Sequence, residues 1–156
     1  QHFLKGYSAQ VSKPVPPLLI LKGRPSPVFI LSSFDGMKIS SADFAGRPVL
    51  LDFWEVWCGP CIESMPKVQG LFDHYKEKGL KVYGIINDAK QLGPSKLMVK
   101  KRGFDFPMLM GNEQLKKDYH IEAIPQYVLI DKQGKIRFLS YGYSDEIESA
   151  VREALK

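Results

Sequence analysis

Cys58 and Cys61 are the only cysteines among 156 residues, and two residues separate them. Such a pair can cycle between dithiol and disulfide, close a structural bridge, or supply part of a tetrahedral zinc site. A bridge around so small a loop constrains the unfolded chain little. Zinc needs about four ligands, and the three histidines, His2, His74 and His120, show no paired spacing with the cysteines. No metal site is expected, and thiol exchange is the favoured chemistry. It needs one sulfur that ionises near neutrality and a second that can attack a mixed disulfide formed on the first.

The flanking residues meet that need. In "VLLDFWEVWCGPC", Val49 to Cys61, a largely apolar strand runs into the pair, and a helical pattern starts at about Gly59. Cys58 then sits at a helix N-terminus, where unpaired N–H groups and the positive end of the dipole stabilise a thiolate. The free thiol pKa of roughly 8.5 is lowered there. Cys58 is the candidate nucleophile, and Cys61, one turn further on and turned toward the sheet, the candidate resolving cysteine. Gly59 is expected to allow a tight turn. Pro60 needs no N–H in the first helical turn.

Two carboxylates share the strand. Asp52 lies among apolar residues, where burial raises a carboxyl pKa and makes it a candidate proton acceptor near neutral pH. The competing reading is a carboxylate bonded to backbone or water. Strand alternation puts Glu55 on the opposite side from Asp52, so the two should not act as a coupled pair. Glu55 is either a surface carboxylate at a strand end or a group near the thiols that takes part in proton handling or substrate selection.

The elements that must position these residues follow from local pattern. "PVFILSSFDGMKIS" reads as two strands joined at Asp35-Gly36, and "SADFAG" as a helical turn closed by Gly46. After the strand "VLLDFWEVW", Ile62, Met65, Val68, Gln69, Phe72 and Tyr75 recur at spacings of 3 and 4 in a helix that Gly79 ends. "LKVYGIIN" is a strand, "SKLMVKKRG" a helix with Ser95 as N-cap, and "FPMLM" a short strand. "NEQLKKDYH" is a helix capped by Asn112, and "QYVLIDKQGKIRFLSYG" a hairpin about Asp131 to Gly134. A last helix starts at Ser144 or Asp145. Strands alternating with helices predict an α/β fold, a central mixed β-sheet with helices on both faces. Residues 1–26, which hold four of the eleven prolines with a fifth at Pro27, are expected to be a lead-in or tether, with "LLILK" as a short edge strand. Residues 27–156 form the domain.

"DFWEVWCGPC", followed by Pro66 and later by "IEAIPQYVLID", resembles the thioredoxin superfamily. The lead-in hairpin and the segment between "VYGIIN" and "AIPQYVLIDKQGKI" are similar to its TlpA/ResA-like branch of bacterial extracytoplasmic thiol-disulfide oxidoreductases. The resemblance covers roughly Pro27 to Lys156. It implies a thioredoxin-like fold with an N-terminal β-hairpin extension and a βα insert. It also implies attack by Cys58, resolution by Cys61, and a substrate surface of Trp57, Gly59, Pro60, Ile124 and Pro125. By spacing alone Pro125 is a strand-start proline; the resemblance implies a cis peptide before it, with the Ile124 backbone facing the disulfide and open to an added substrate strand. Pro66 matches a helix-kinking proline. Asp52 matches the buried acid behind the resolving cysteine, where this branch more often has asparagine. Glu55 departs from the usual alanine or glycine, and Ser64 stands where many members carry a glutamate, the nearest acid being Glu63.

The resemblance further implies reduction of disulfides in protein substrates, a partner reductase, and no cofactor beyond the Cys58–Cys61 disulfide. The C-G-P-C dipeptide points to the reducing side of the redox scale. Cytochrome c biogenesis is among the settings of the branch, in the periplasm or another extracytoplasmic space. The chain is expected to be a monomer, with a membrane tether upstream of residue 1 as one arrangement; no apolar run within it approaches the roughly 18 residues of a span. Net charge is +5, but the densest basic cluster, Lys96, Lys100, Lys101 and Arg102, reads as a solvated helix face, and no nucleic-acid partner is expected. Two other classes share the fold. A thiol peroxidase pattern P-x-x-x-T-x-x-C would need proline at Leu51 and threonine at Glu55. A non-catalytic metal-delivery module usually spaces its cysteines C-x-x-x-C.

Overall fold

The computed structural model describes residues 17–156. A short helix α1, Pro17–Leu21, leads to the antiparallel pair β1, Ile30–Ser33, and β2, Lys38–Ser40. A 3-10 turn over Ser41–Phe44 connects to β3, Val49–Phe53, and the long helix α2 follows over Gly59–Tyr75. Then come β4, Lys81–Ile86; α3, Leu92–Arg102; β5, Met108–Met110; α4, Glu113–Asp118; the hairpin β6, Gln126–Ile130, and β7, Ile136–Tyr141; and α5, Glu146–Ala154. The seven strands form one sheet in the order β2-β1-β5-β4-β3-β6-β7. β3, β4 and β5 run parallel, while β6 and β7 on one side and β1 and β2 on the other are antiparallel. This is the expected mixed sheet, and the segment from α3 through β5 to α4 is the insert that carries β5 between β1 and β4.

Alternation along β3 divides the core. Leu50 and Trp54 pack with Cys61, Met65 and Val68 of α2 and Ile147 and Val151 of α5. Val49, Leu51 and Phe53 pack on the other face with Leu21, Phe44, Leu115 and Tyr119. Every residue of β3 and of β6 is buried, as expected for strands at the centre of a sheet covered on both sides. At about 25 cal/mol per Å² of apolar area, this double layer is what holds the strand end and helix start of the cysteine pair in place.

Several local expectations change. The "LLIL" of that stretch belongs to helix α1 rather than to an edge strand, and Leu21 is buried in the second core layer while Leu19 and Ile20 are exposed. The part of the lead-in that is described is docked. Gly23 N–H donates to the Ile136 carbonyl at 2.7 Å, Ile136 N–H to the Arg24 carbonyl at 2.9 Å, and Ser26 N–H to the Gly134 carbonyl at 2.9 Å. Contact with the domain thus begins before residue 27; the tether expectation for residues 1–16 lies outside the described residues. Strand β3 stops at Phe53, four residues short of Trp57, since the chain turns at Val56 and Trp57 to present the cysteines. Helix α3 starts at Leu92, with Pro94 in its first turn, so Ser95 is inside the helix and buried rather than capping it. The Asp35-Gly36 turn and the Asn112 cap, which accepts from Leu115 N–H at 2.8 Å, are as expected.

Candidate active site

Cys58 is the N-cap of α2. Its backbone is extended, its N–H donates to the Glu55 carbonyl at 3.1 Å, and its sulfur accepts from Cys61 N–H at 3.2 Å. Cys58 and Cys61 form a disulfide with their Cα atoms 5.3 Å apart. Pro60 occupies the first turn, where a missing N–H costs nothing. Gly59 has no left-handed backbone, and a Cβ there would meet nothing within 4 Å. The expected tight-turn role is therefore not its role; the glycine leaves open space beside the disulfide. Trp57, 64% exposed, flanks the same opening.

Sixty-six residues further along, the loop before β6 returns to the pair. The Ile124–Pro125 peptide is cis, and the Ile124 carbonyl oxygen lies 3.9 Å from Cys58 Sγ. Neither the N–H nor the carbonyl of Ile124 takes part in a backbone hydrogen bond among the described residues. An extended peptide laid beside Cys58 would find that N–H and carbonyl unoccupied, which is the requirement for strand addition.

Asp52 is 1% exposed, and neither of its oxygens has a hydrogen-bond partner. It lies on the Cys61 face of β3, between Leu50 and Trp54 in the alternation. Burial pushes its carboxyl up to about 8. No cation offsets the burial: the position opposite on β4 is Gly84. A Cβ on Gly84 would stand 2.9 Å from Trp54 Nε1 and 3.2 Å from Phe106, with Met108 Sδ closer still. Glycine is required there by close packing.

Glu55 is only 7% exposed, so it is not a surface carboxylate at a strand end. It points to the opposite side from Asp52, as the alternation predicts. Its Oε2 accepts from Asn87 N–H at 2.8 Å and Asp88 N–H at 3.2 Å, which ties the end of β3 to the turn after β4. Its Oε1 is buried without a partner. Burial raises its carboxyl pKa, and the two N–H donors counter part of that rise. With Trp57, Lys116, Glu122 and Ile124 it lines a cleft of about 130 Å³.

The fold thus gathers Cys58, Cys61, Trp57, Gly59, Pro60, Ile124 and Pro125 at one end of the sheet, with Asp52 beneath and Glu55 to one side. Sequence reasoning missed Tyr127. It is fully buried opposite Asp52 in the β3–β6 ladder, with an unpartnered hydroxyl. Only the cross-strand register, which no local pattern specifies, puts the two together.

This arrangement has known counterparts. Residues 23–139 match the AhpC/TSA family. The thiol-disulfide oxidoreductase ResA of Bacillus thuringiensis subsp. konkukian is 35% identical over 115 residues, 73% of this chain and 66% of that protein. ResA of Bacillus subtilis is 30% identical over 122 residues, 75% of this chain and 65% of that protein. The chain therefore spans slightly less than two thirds of the length of these relatives. A Chlorobium tepidum structure assigned as thiol:disulfide interchange protein DsbE superposes with a TM-score of 0.80 at 30% identity, over 86% of this chain and 98% of that one. A second Chlorobium tepidum structure, a thiol:disulfide interchange protein of the thioredoxin family, gives 0.78 at 25%, with the same coverage.

Proposed function

The chain belongs to the AhpC/TSA family within the thioredoxin superfamily, and on that premise we propose that it is a thiol-disulfide oxidoreductase that reduces disulfides in protein substrates. The observation that carries this reading is the placement of Cys58 Sγ at a helix N-terminus and 3.9 Å from the free carbonyl of Ile124. One sulfur is thereby both activated and set beside a backbone edge that can hold a peptide.

In the reduced protein the Cys58 thiolate attacks a substrate disulfide, one substrate thiol leaves, and a mixed disulfide forms. Cys61, deprotonated with Asp52 as acceptor, then attacks Cys58 Sγ. The bond to the substrate breaks, the second substrate thiol leaves, and the Cys58–Cys61 disulfide remains. Two electrons have passed from the pair to the substrate, and a partner reductase returns them. From the C-G-P-C dipeptide we expect a potential nearer that of thioredoxin, about −270 mV, than that of protein disulfide isomerase, about −180 mV.

The site of action in this reading is extracytoplasmic, and cytochrome c biogenesis is the leading setting; the relatives' names, ResA and DsbE, support it. Among the described residues no helix is long and apolar enough to cross a membrane. A membrane tether upstream of residue 1 and a monomeric state are part of the same proposal. Glu55 takes a substrate-selecting role, since it lines the cleft with Trp57 and Ile124. Reduction of a cysteine-containing peptide disulfide by the purified dithiol form tests the reading. Turnover that vanishes in Cys58→Ser supports it, and no exchange by the parent protein contradicts it.

A further inference from the structure

Between Phe53, the last residue of β3, and Gly59, the first of α2, the chain crosses a stretch that belongs to neither element. Outside the strand ladder its backbone is held by Trp54 N–H, which donates to the Ile85 carbonyl at 3.0 Å, and by Cys58 N–H, which donates to the Glu55 carbonyl at 3.1 Å. The second bond closes a turn over Val56 and Trp57, with Glu55 at its start and Cys58 at its end. Val56 is half-buried and Trp57 is exposed, so the core grips this turn at its ends rather than its middle.

Glu55 is where a side chain fixes the turn. Among the described residues, its two hydrogen bonds are the only ones that a side chain of residues 54–57 makes. A single carboxylate oxygen, Oε2, accepts from Asn87 N–H at 2.8 Å and from Asp88 N–H at 3.2 Å. Those donors belong to a well-braced support. Gly111 N–H donates to the Ile86 carbonyl at 2.6 Å, Gln91 N–H to the Asp88 carbonyl at 2.9 Å, and Lys90 N–H to Asp88 Oδ1 at 3.1 Å. Hydrogen bonds to an ionised acceptor are the stronger kind, and a buried site keeps competing water away. Burying the Glu55 carboxyl is costly in itself, and the contact that offsets the cost lands on the turn that carries Cys58.

We propose that Glu55 is a positioning residue for the nucleophile: its carboxylate pins the Glu55–Cys58 turn to the turn after β4 and so holds Cys58 Sγ at the N-terminus of α2, beside the Ile124 carbonyl. The inference rests on the exchange chemistry proposed above. In this role Glu55 acts through the backbone, from its side chain to its own carbonyl and the Cys58 N–H, and exchanges no proton or electron. With the tie cut, the sulfur drifts from Cys61 N–H, now 3.2 Å away, and from the positive end of the helix dipole, so less thiolate forms. The charge of Glu55 works the other way, since a carboxylate near a thiolate disfavours it. The charged groups that face Glu55 are Asp88 and Lys116, with Lys90, Glu113 and Glu122 along the walls of the adjoining clefts.

The test reads Cys58 alone, in a Cys61→Ser background, by iodoacetamide alkylation across pH and by stopped-flow attack on a peptide disulfide. Glu55→Ala should move the alkylation midpoint up by about half to one pH unit and slow attack near neutral pH about three- to tenfold. Glu55→Asp keeps the charge but falls one methylene short of the two N–H groups. It should behave like Glu55→Ala, and it carries the test should the alanine variant not fold. Glu55→Gln keeps an acceptor oxygen without the charge and should return the midpoint to the parent's or just below it. Asp131→Ala is the control for lost stability, because it strips Oδ1 from Gln133 N–H at 2.9 Å and Lys135 N–H at 3.0 Å at the far end of β6. It should leave both readouts unchanged. The parent alkylation profile in folded Glu55→Ala or Glu55→Asp, the same shift in Glu55→Gln as in Glu55→Ala, or equal slowing by Asp131→Ala would each overturn the positioning role. If Cys58 alkylates but attacks no disulfide even with Glu55 in place, the exchange reading itself is what fails.

Discussion

The sulfur of Cys58 lies 3.9 Å from the carbonyl oxygen of Ile124, although the two are 66 positions apart in the chain. α2 delivers the first and the loop before β6 the second, and each is fixed by a strand in the centre of the sheet, β3 and β6, which are paired to each other. The register of those two strands therefore sets where that sulfur and that carbonyl stand relative to each other.

Backbone pairing at Ile124 should be measurable on the substrate. A peptide disulfide whose amide facing the Ile124 carbonyl is N-methylated loses one net hydrogen bond, about 1 kcal/mol. Steady-state kinetics should show KM raised about fivefold with kcat little changed. Equal KM for both peptides would mean that Ile124 does not hold the substrate.

The unpartnered carboxyl of Asp52 makes stability depend on pH in an unusual direction. Its folded pKa, about 8, lies above the ordinary value of 3.8. Between these the native state holds a proton that the unfolded state has lost, so stability falls as pH rises through that window and levels off above it. Asp52→Asn should remove this component. Denaturant unfolding at a series of pH values should find the variant more stable than the parent by a margin that grows from about pH 4 to about pH 8. The same variant should slow resolution by Cys61, so stability and rate move in opposite directions. A constant margin across that range would show that Asp52 is not the buried acid described.

Two substitutions separate the roles of Glu55. Glu55→Ala strips the acceptor from Asn87 N–H and Asp88 N–H, both part of the turn after β4, and should cost about 1–3 kcal/mol in chemical denaturation. Glu55→Gln keeps an acceptor oxygen, so most of that stability should remain. If the carboxylate selects substrates, Glu55→Gln should change the ratio of kcat/KM for peptides with lysine rather than glutamate near the cysteine. An unchanged ratio would leave Glu55 with a structural role alone.

Gly84 is the price of the narrow space between β3, Trp54 and Met108. Gly84→Ala places a Cβ against Trp54 Nε1, Phe106 and Met108 Sδ and should destabilise by about 1–3 kcal/mol as an overpacked core. A loss below about 0.5 kcal/mol in the same unfolding assay would mean the neighbours yield easily.

Much of this was legible in the chain because it is local. The C-x-x-C pair at a strand-to-helix junction gives the candidate nucleophile and its partner, and period-two alternation along β3 and just beyond it puts Asp52 and Glu55 on opposite sides. The 3.6 period marks α2, and Asp35-Gly36 and Asn112 mark a turn and a cap. What was not legible depends on pairing across the sheet. Tyr127 becomes interesting only because register sets it opposite Asp52. Glu55 looks like a strand-end carboxylate until the turn after β4 reaches it. "LLILK" has strand-like residues, and only docking of Leu21 into the second core layer shows that it coils. The helix start at Leu92 was obscured because Ser95 reads as a cap, whereas Pro94 is accommodated in the first turn.

The central claim, that Cys58 attacks protein disulfides and Cys61 releases them, is tested most directly by the Cys61→Ser variant. Incubated with a protein or peptide disulfide and resolved by non-reducing electrophoresis and mass spectrometry, it should accumulate a covalent complex joined through Cys58. Dithiothreitol should release it, and Cys58→Ser should form none. Failure of Cys61→Ser to trap any disulfide while Cys58 remains reactive to a thiol reagent, or a complex joined through Cys61 in Cys58→Ser, would contradict the account.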